Sequence, residues 1–252
     1  MRIAVCLFGQ PRTWQKCINN WKEKFNHNGE IDYFFHFWDY NTLPSLLASQ
    51  PYKCKIEDEL ISDDEKKQIL DTLQPKKYSF ESRKNIDYWN CDLTSDQKIG
   101  GWCTEQYYSL YHVSLLKKQY ELENNFRYDV VIRLRADLFF LSDKIDLINP
   151  KHNTIYTINS HFDERYNVCT INDSYFYADS YTFDQAALFY KFLSFVPKNW
   201  ITSAICPPPE VATYFYFASI GLINHPTFTD IKFMRDQRVL AIKGVLDGYE
   251  IV

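Results

Sequence analysis

The sequence predicts an α/β fold of three layers, a mostly parallel central sheet between helices. Three observations predict it. Residues 2–8 carry the continuous apolar run of a strand buried on both faces. Trp14, Cys17, Ile18, Trp21 and Phe25 then recur at helical spacing, so one face of a helix is apolar. Residues 33–38 form a second buried run that ends at Asp39. A right-handed crossover makes the two strands parallel neighbours.

The remaining elements follow in chain order. Between about residues 41 and 99 the pattern is less readable. Ser62 and Glu65 form a capping box ahead of Ile69, Leu70 and Leu73, which predicts a short helix. Tyr78 and Phe80 suit a strand, and Gly100 and Gly101 suit a flexible joint. A long helix is expected from about Cys103 to Glu123, with two apolar stripes. One holds Val113, Leu116 and Tyr120; the other holds Tyr108, Tyr111, Leu115 and Leu122. Two stripes predict a helix sandwiched between the sheet and another segment. Residues 129–141 are the most strand-like stretch, and 154–158 and 174–177 predict further strands. Thr182 and Gln185 form a second capping box before a helix with Phe183, Ala186, Ala187, Tyr190 and Leu193 on one face. Pro207, Pro208 and Pro209 lead into a last helix, because proline suits the first turn. The tail after Arg235 is expected either to fold over the site or to be loosely held.

Bulk composition narrows the function classes. The 252 residues are 46% hydrophobic and 24% charged, which is globular composition rather than disorder. The net charge of −4 argues against nucleic acid as a partner, since a phosphate backbone needs a basic surface. It leaves room for one local basic pocket. The seven cysteines are odd in number and contain no CxxC pair, so neither a zinc site nor a disulfide framework is expected. Reduced thiols and a cytoplasmic location are the expectation. The apolar run near the N-terminus is about six residues, too short for a signal sequence. No stretch approaches the roughly 20 apolar residues of a membrane span. A lipid-linked acceptor would therefore call for peripheral membrane contact.

In open parallel sheets, ligands bind beyond the C-terminal strand ends. Three polar clusters fall there: Gly9-Gln10-Pro11-Arg12, Asp39, and Arg135-Ala136-Asp137. Arg133, Arg135 and Asp137 alternate on one face of an apolar strand, so they either pair with one another or meet a ligand. Arginine binds phosphate oxygens bidentately, and a carboxylate can hold a divalent cation that bridges phosphates. The Gly9–Arg12 loop reads either as an anion site at a helix N-terminus or as a plain strand-to-helix turn. Asp39 is a partner for a ribose or base, or an ordinary turn residue. His36, inside an apolar strand, reads as a satisfied core histidine. Gln106 and Ser109, near the start of the long helix, either reach a donor or satisfy sheet-edge groups.

A strand ending in D-x-D after a helix is the signature of GT-A glycosyltransferases, and this chain resembles them. The order "GQPR", "HFWD", "EQYYSLYHV" and "YDVVIRLRADLFF" is similar to a branch of that fold in viral and bacterial glycosyltransferases. The likeness spans roughly residues 1–40 and 100–225. The first Asp of D-x-D is replaced by Arg135, and only Asp137 matches the second.

No repeat, low-complexity tract or linker interrupts the sequence, so one domain is expected over residues 1–252, and the resemblance divides it into a nucleotide-binding part at about 1–141 and an acceptor part at about 142–235. It implies a sugar transfer from a nucleotide-diphosphate sugar to a glycan or glycolipid. Donor binding would fall to Gly9, Gln10, Arg12, Asp39, Gln106, Arg133, Arg135 and Asp137. Asp137 would also hold a divalent cation, Mn or Mg, with a weakened or absent metal requirement because of Arg135. An inverting transfer needs a general base near the acceptor. Glu210 is the first candidate, followed by Asp173 and Asp179, which flank the strand SYFY. A glutamate in a first helical turn is also favoured by the helix dipole alone. Two alternatives stay open: a non-catalytic nucleotide- or carbohydrate-binding relative, and a nucleotidyltransferase, whose Gly-rich basic loop is absent here.

Overall fold

Six consecutive residues, Ile3 to Phe8, are almost wholly buried, which only a central strand covered on both faces achieves. They belong to β1 (Arg2–Gly9), followed by helix α1 (Trp14–Phe25) and β2 (Glu30–Trp38). A hairpin of β3 (Tyr40–Leu47) and β4 (Gln50–Leu60) precedes α2 (Asp63–Leu73) and β5 (Lys77–Glu81). The long helix α3 (Lys98–Asn124) leads to β6 (Val130–Arg135) and β7 (Leu138–Phe140). Then come β8 (Thr154–Ile158), β9 (Phe162–Asp163), β10 (Val168–Cys169) and β11 (Tyr175–Ala178). Helices α4 (Ser180–Ala187), α5 (Phe189–Leu193) and α6 (Pro209–Ser219) precede β12 (Ile223–Thr227) and β13 (Ile231–Phe233). This computed structural model describes residues 1–47, 50–82, 98–158, 162–163, 168–193, 209–227 and 231–233. The tail after Arg235 lies outside them.

The seven-stranded sheet has the order β12-β8-β11-β6-β1-β2-β5. β1 pairs in parallel with both β2 and β6, and β2 with β5, while β11 runs antiparallel to its neighbours β6 and β8. Alternation sends Ile3, Val5 and Leu7 to one face, where α1 and α2 close a core with Trp21, Phe25 and Ile69. Ala4, Cys6 and Phe8 face the other side, covered by Tyr107, Leu110 and Val113 of α3 and by α4 to α6. The expected three-layer α/β architecture is therefore the observed one.

Several local expectations need correction. Helix α3 runs through Gly100 and Gly101 rather than beginning after them. Its second apolar stripe does not form, because Leu115 and Leu122 face solvent. The buried positions beside them are Ser114, Lys117 and Glu121, with Lys117 paired to Glu121 at 3.1 Å and to Asp184 at 2.8 Å. The cap of α4 is Asp179, whose Oδ1 accepts from the Thr182 amide at 2.9 Å, so the capping box at Thr182 and Gln185 is not used. Asp179 also sits at the wrong end of the sheet for its suggested role. Because β11 is antiparallel, Ala178 pairs with Val131 near the start of β6, and only Asp173 lies at the site end.

Candidate functional site

Parallel pairing brings the ends of β1, β2 and β6 to one edge, and the polar clusters meet there. At Gly9 the backbone has φ of +88°, and at Arg12 +49°. Glycine adopts that region freely, but an arginine held there stores some strain. The loop is pinned by two side chains. Ser109 of α3 accepts from the Gly9 amide at 2.7 Å, and Asn41 accepts from the Arg12 amide at 2.8 Å. Those two N–H groups point into the protein. The positive charge that the loop presents is thus the Arg12 side chain, one-third exposed.

Arg12 Nη1 donates to Asp137 Oδ2 at 2.8 Å. Arg135 holds the same carboxylate from the other side, Nε to Oδ1 at 3.1 Å and Nη2 to Oδ2 at 3.0 Å. Asp137 is buried and sits in the turn between β6 and β7. That turn is fixed from α1. Asn20 pairs with the Phe140 backbone at both its amide and its carbonyl, and Trp21 Nε1 donates to the Leu138 carbonyl at 2.6 Å. Burial lowers the Arg12 guanidinium from its ordinary value and Asp137 opposes that shift. It stays a cation in either case.

The cluster continues through β11. Arg135 Nη1 lies 3.4 Å from Ser174 Oγ, Ser174 donates to Asp173 Oδ1 at 3.0 Å, and Gln106 donates to Asp173 Oδ2 at 3.0 Å. Gln10, Arg12, Gln106, Arg135, Asp137 and Asp173 therefore form one connected polar surface. Asp39 ends β2 on the same edge. Its backbone ties β5 to Ile61, and its buried Oδ1 meets no hydrogen-bond donor among the described residues.

Arg133 is elsewhere. Its guanidinium is fully buried, 4.6 Å from the Phe8 ring centroid and 5.4 Å from that of Phe176, with Tyr107 at 5.6 Å. It is a core cation held by aromatic faces rather than a part of the open surface. The alternation argument placed it on the correct face but two residues too deep. Glu210 is the second residue of α6, and its side chain lies outside the described residues. One turn on, Thr213 meets the Tyr107 hydroxyl, next to Gln106.

The resemblance assigns a divalent cation to Asp137. Both of its oxygens already accept from guanidinium groups, and two cations flank the position an ion would take. These residues do not fit a resident metal ion as they are arranged.

Sequence reasoning missed Asn20, Asn41 and Ser174, which support this site. Nothing in the spacing of Asn20 and Asn41 marks them. His36 is buried within β2, as expected, with Nδ1 3.0 Å from Ser109 Oγ and Nε2 2.7 Å from Glu81 Oε2.

No family model matches the chain, and no curated protein does. Among solved structures, it is similar to core-mannan synthase A from Aspergillus fumigatus in its Mn/GDP form. That likeness covers 96% of this chain and 82% of that one, at 11% identity and a TM-score of 0.49. A likeness of this size carries no functional argument. Among the described residues, no helix is long and apolar enough to cross a membrane.

Proposed function

We propose that the chain is a glycosyltransferase that takes its sugar from a nucleotide-diphosphate donor, bound across the ends of β1 and β6. The observation that carries this is the convergence of Arg12 and Arg135 on Asp137, at the edge where parallel sheets bind ligands. Two guanidiniums a few ångströms apart match the two phosphates of a diphosphate, with bidentate geometry available to each. Asp137 holds both in place until the ligand arrives. The order of motifs that resembles GT-A glycosyltransferases supports the same reading.

In this proposal Arg12 and Arg135 neutralise most of the diphosphate charge, including the charge that develops on it as the glycosidic bond breaks. Asp39, with an oxygen that meets no donor among the described residues, accepts from a ribose hydroxyl or a base N–H. Gln106 and Asp173 border the donor on the β11 side, where the acceptor part of the chain begins. The acceptor is a glycan or glycolipid. If the transfer inverts, Glu210 or Asp173 serves as the base. A second reading, a non-catalytic nucleotide binder of the same fold, is favoured by one observation, the occupation of both Asp137 oxygens by arginines.

The test is a calorimetric screen of nucleoside diphosphates and nucleotide-sugars, followed by a search for released nucleoside diphosphate. Binding with turnover supports the transferase. Binding without hydrolysis or transfer on any acceptor supports the second reading. No binding of any nucleotide removes both.

A further inference from the structure

We propose that His36, Glu81 and His112 form a site for a divalent transition-metal ion of the zinc class, separate from the Asp137 turn. The three come from the end of β2, the end of β5 and the middle of α3. One ligand atom from each lies within 4.8 Å of the others. Around a tetrahedral ion with bonds of about 2.0–2.1 Å, ligand atoms stand roughly 3.3 Å apart. The three side chains therefore need shifts of about an ångström to close on an ion. Two imidazoles and one carboxylate form a donor set that suits zinc and leaves a fourth position for water.

The hydrogen bonds around His36 independently call for a positive centre there. Ser109 Oγ has one proton. It lies 2.7 Å from the His36 carbonyl, which can only accept, so the proton goes there. The same oxygen accepts from the Gly9 amide. His36 Nδ1, 3.0 Å from that oxygen, must then be the donor. This leaves Nε2 facing Glu81 Oε2 at 2.7 Å. A ring nitrogen lone pair against a carboxylate oxygen is repulsive, so a proton or a metal ion lies between them. The same contact to Ser109 is the outer-sphere bond that fixes the tautomer of a metal-ligating histidine. Glu81 has its counterpart: its Oε1 accepts from the Tyr108 hydroxyl at 2.7 Å, which orients the carboxylate.

His112 supplies the observation that separates the metal from the proton. Its ring lies 5.2 Å from that of His36 and is stacked on Tyr108 at 4.1 Å. Neither of its nitrogens has a hydrogen-bond partner among the described residues. A half-buried imidazole beside an ion pair gains nothing from that pair. As a third ligand, it finds a use for its lone pair. The ligands lie 31 to 76 residues apart along the chain, so no such set exists in the unfolded state, and binding stabilises the fold. The proposal does not depend on the donor reading.

The test uses the full chain, stripped with EDTA, desalted, and titrated with Zn²⁺ alone, with no nucleotide. Expected are one ion per chain by elemental analysis, a raised melting temperature, and the visible absorption of a tetrahedral nitrogen and oxygen site when Co²⁺ is substituted. His112→Ala and the isosteric Glu81→Gln should each weaken binding by at least about tenfold, while Asp137→Asn should retain it. Two variants guard against one that fails to fold. The proposal is overturned if the unaltered chain binds Zn²⁺ no more tightly than these variants. It is overturned equally by thiolate charge-transfer bands in the cobalt spectrum, or by loss of binding in an Asp137→Asn chain whose thermal melt shows it folded.

Discussion

Arg12 and Asp137, 125 residues apart in sequence, are joined by a 2.8 Å ion pair across the ends of two adjacent parallel strands. The carboxylate is buried while the guanidinium is one-third exposed, so the pair has an inner end fixed by the fold and an outer end open to a ligand. Arg135 repeats the arrangement from the other side at 3.0 Å. In the donor reading proposed above, a diphosphate entering between them would exchange one anionic partner for another, and neither arginine would be left without a counter-charge.

The donor reading predicts a specific loss in Arg12→Ala. A charge-assisted hydrogen bond contributes about 1.5–3 kcal/mol, so nucleoside diphosphate affinity should fall by roughly 10- to 150-fold. Nucleoside affinity should hardly change, because the phosphates alone use this group. Calorimetry on the two ligands checks both, and an unchanged diphosphate affinity would falsify the assignment of Arg12.

Metal removal should leave nucleotide affinity nearly intact. Both oxygens of Asp137 are engaged by arginines, and an ion there would face two like charges. Titrations with Mn²⁺ and with chelator should therefore give the same dissociation constant. A strong fall with chelator, reproduced by Asp137→Asn, would restore Asp137 as a metal ligand. Asp137→Ala is expected to destabilise the fold by about 3 kcal/mol, as breaking a buried pair does, and thermal melts would show it.

Stability of the chelated protein should fall on mild acidification. Burial lowers the His112 imidazole from its ordinary value to about 4, with His36 adding to the shift, Glu81 opposing it and Lys191 lowering it further. The folded state then binds fewer protons than the unfolded state between about pH 6.5 and 4. Stability is full above the unfolded value and is lost as pH falls through that window. Glu81 is also lowered, chiefly by its hydrogen bond from His36, but its contribution is present above the ordinary carboxylate range and goes only at lower pH. The first loss therefore belongs to His112, on the order of 2–3 kcal/mol and several degrees in melting temperature. His112→Asn should flatten the profile between pH 7 and 5. A profile equally steep in the variant would assign the loss to another group.

How far the sequence could lead is seen in three places. Mostly apolar stretches at residues 2–8, 33–38 and 130–135 point to the parallel core, because strands buried on both faces are largely apolar, with Arg133 and His36 as buried exceptions. The strand order then put Gly9, Asp39 and Asp137 on one edge without any further assumption. Lys117 and Glu121 defeated the helix reading: charge is normally solvent-facing, yet these two are buried against Ser180 and Asp184, and the neighbouring leucines are pushed outward. Asp179 failed for a different reason. Parallel or antiparallel direction of β11 is set by the length and path of the segments before it, not by its four apolar residues. Asn20 could not have been found at all, since an asparagine that imitates a neighbouring strand leaves no periodic trace.

The last prediction separates transfer from binding. If the reaction inverts the sugar, a carboxylate must take the acceptor proton, and general-base catalysis contributes about 10²- to 10⁴-fold. Glu210→Gln should then lower kcat by at least about 100-fold with an unchanged dissociation constant for the nucleoside diphosphate. Asp173→Asn should behave otherwise. Asp173 accepts from Gln106 and from Ser174, and Ser174 contacts Arg135, so its loss should loosen the arginine that the donor reading assigns to the diphosphate. Its expected signature is a weakened nucleotide affinity together with a reduced rate. The two carboxylates are thereby distinguished by which constant moves. If both variants keep full kcat on a working acceptor, neither is the base, and the transfer proceeds either with retention or with a carboxylate from another part of the chain.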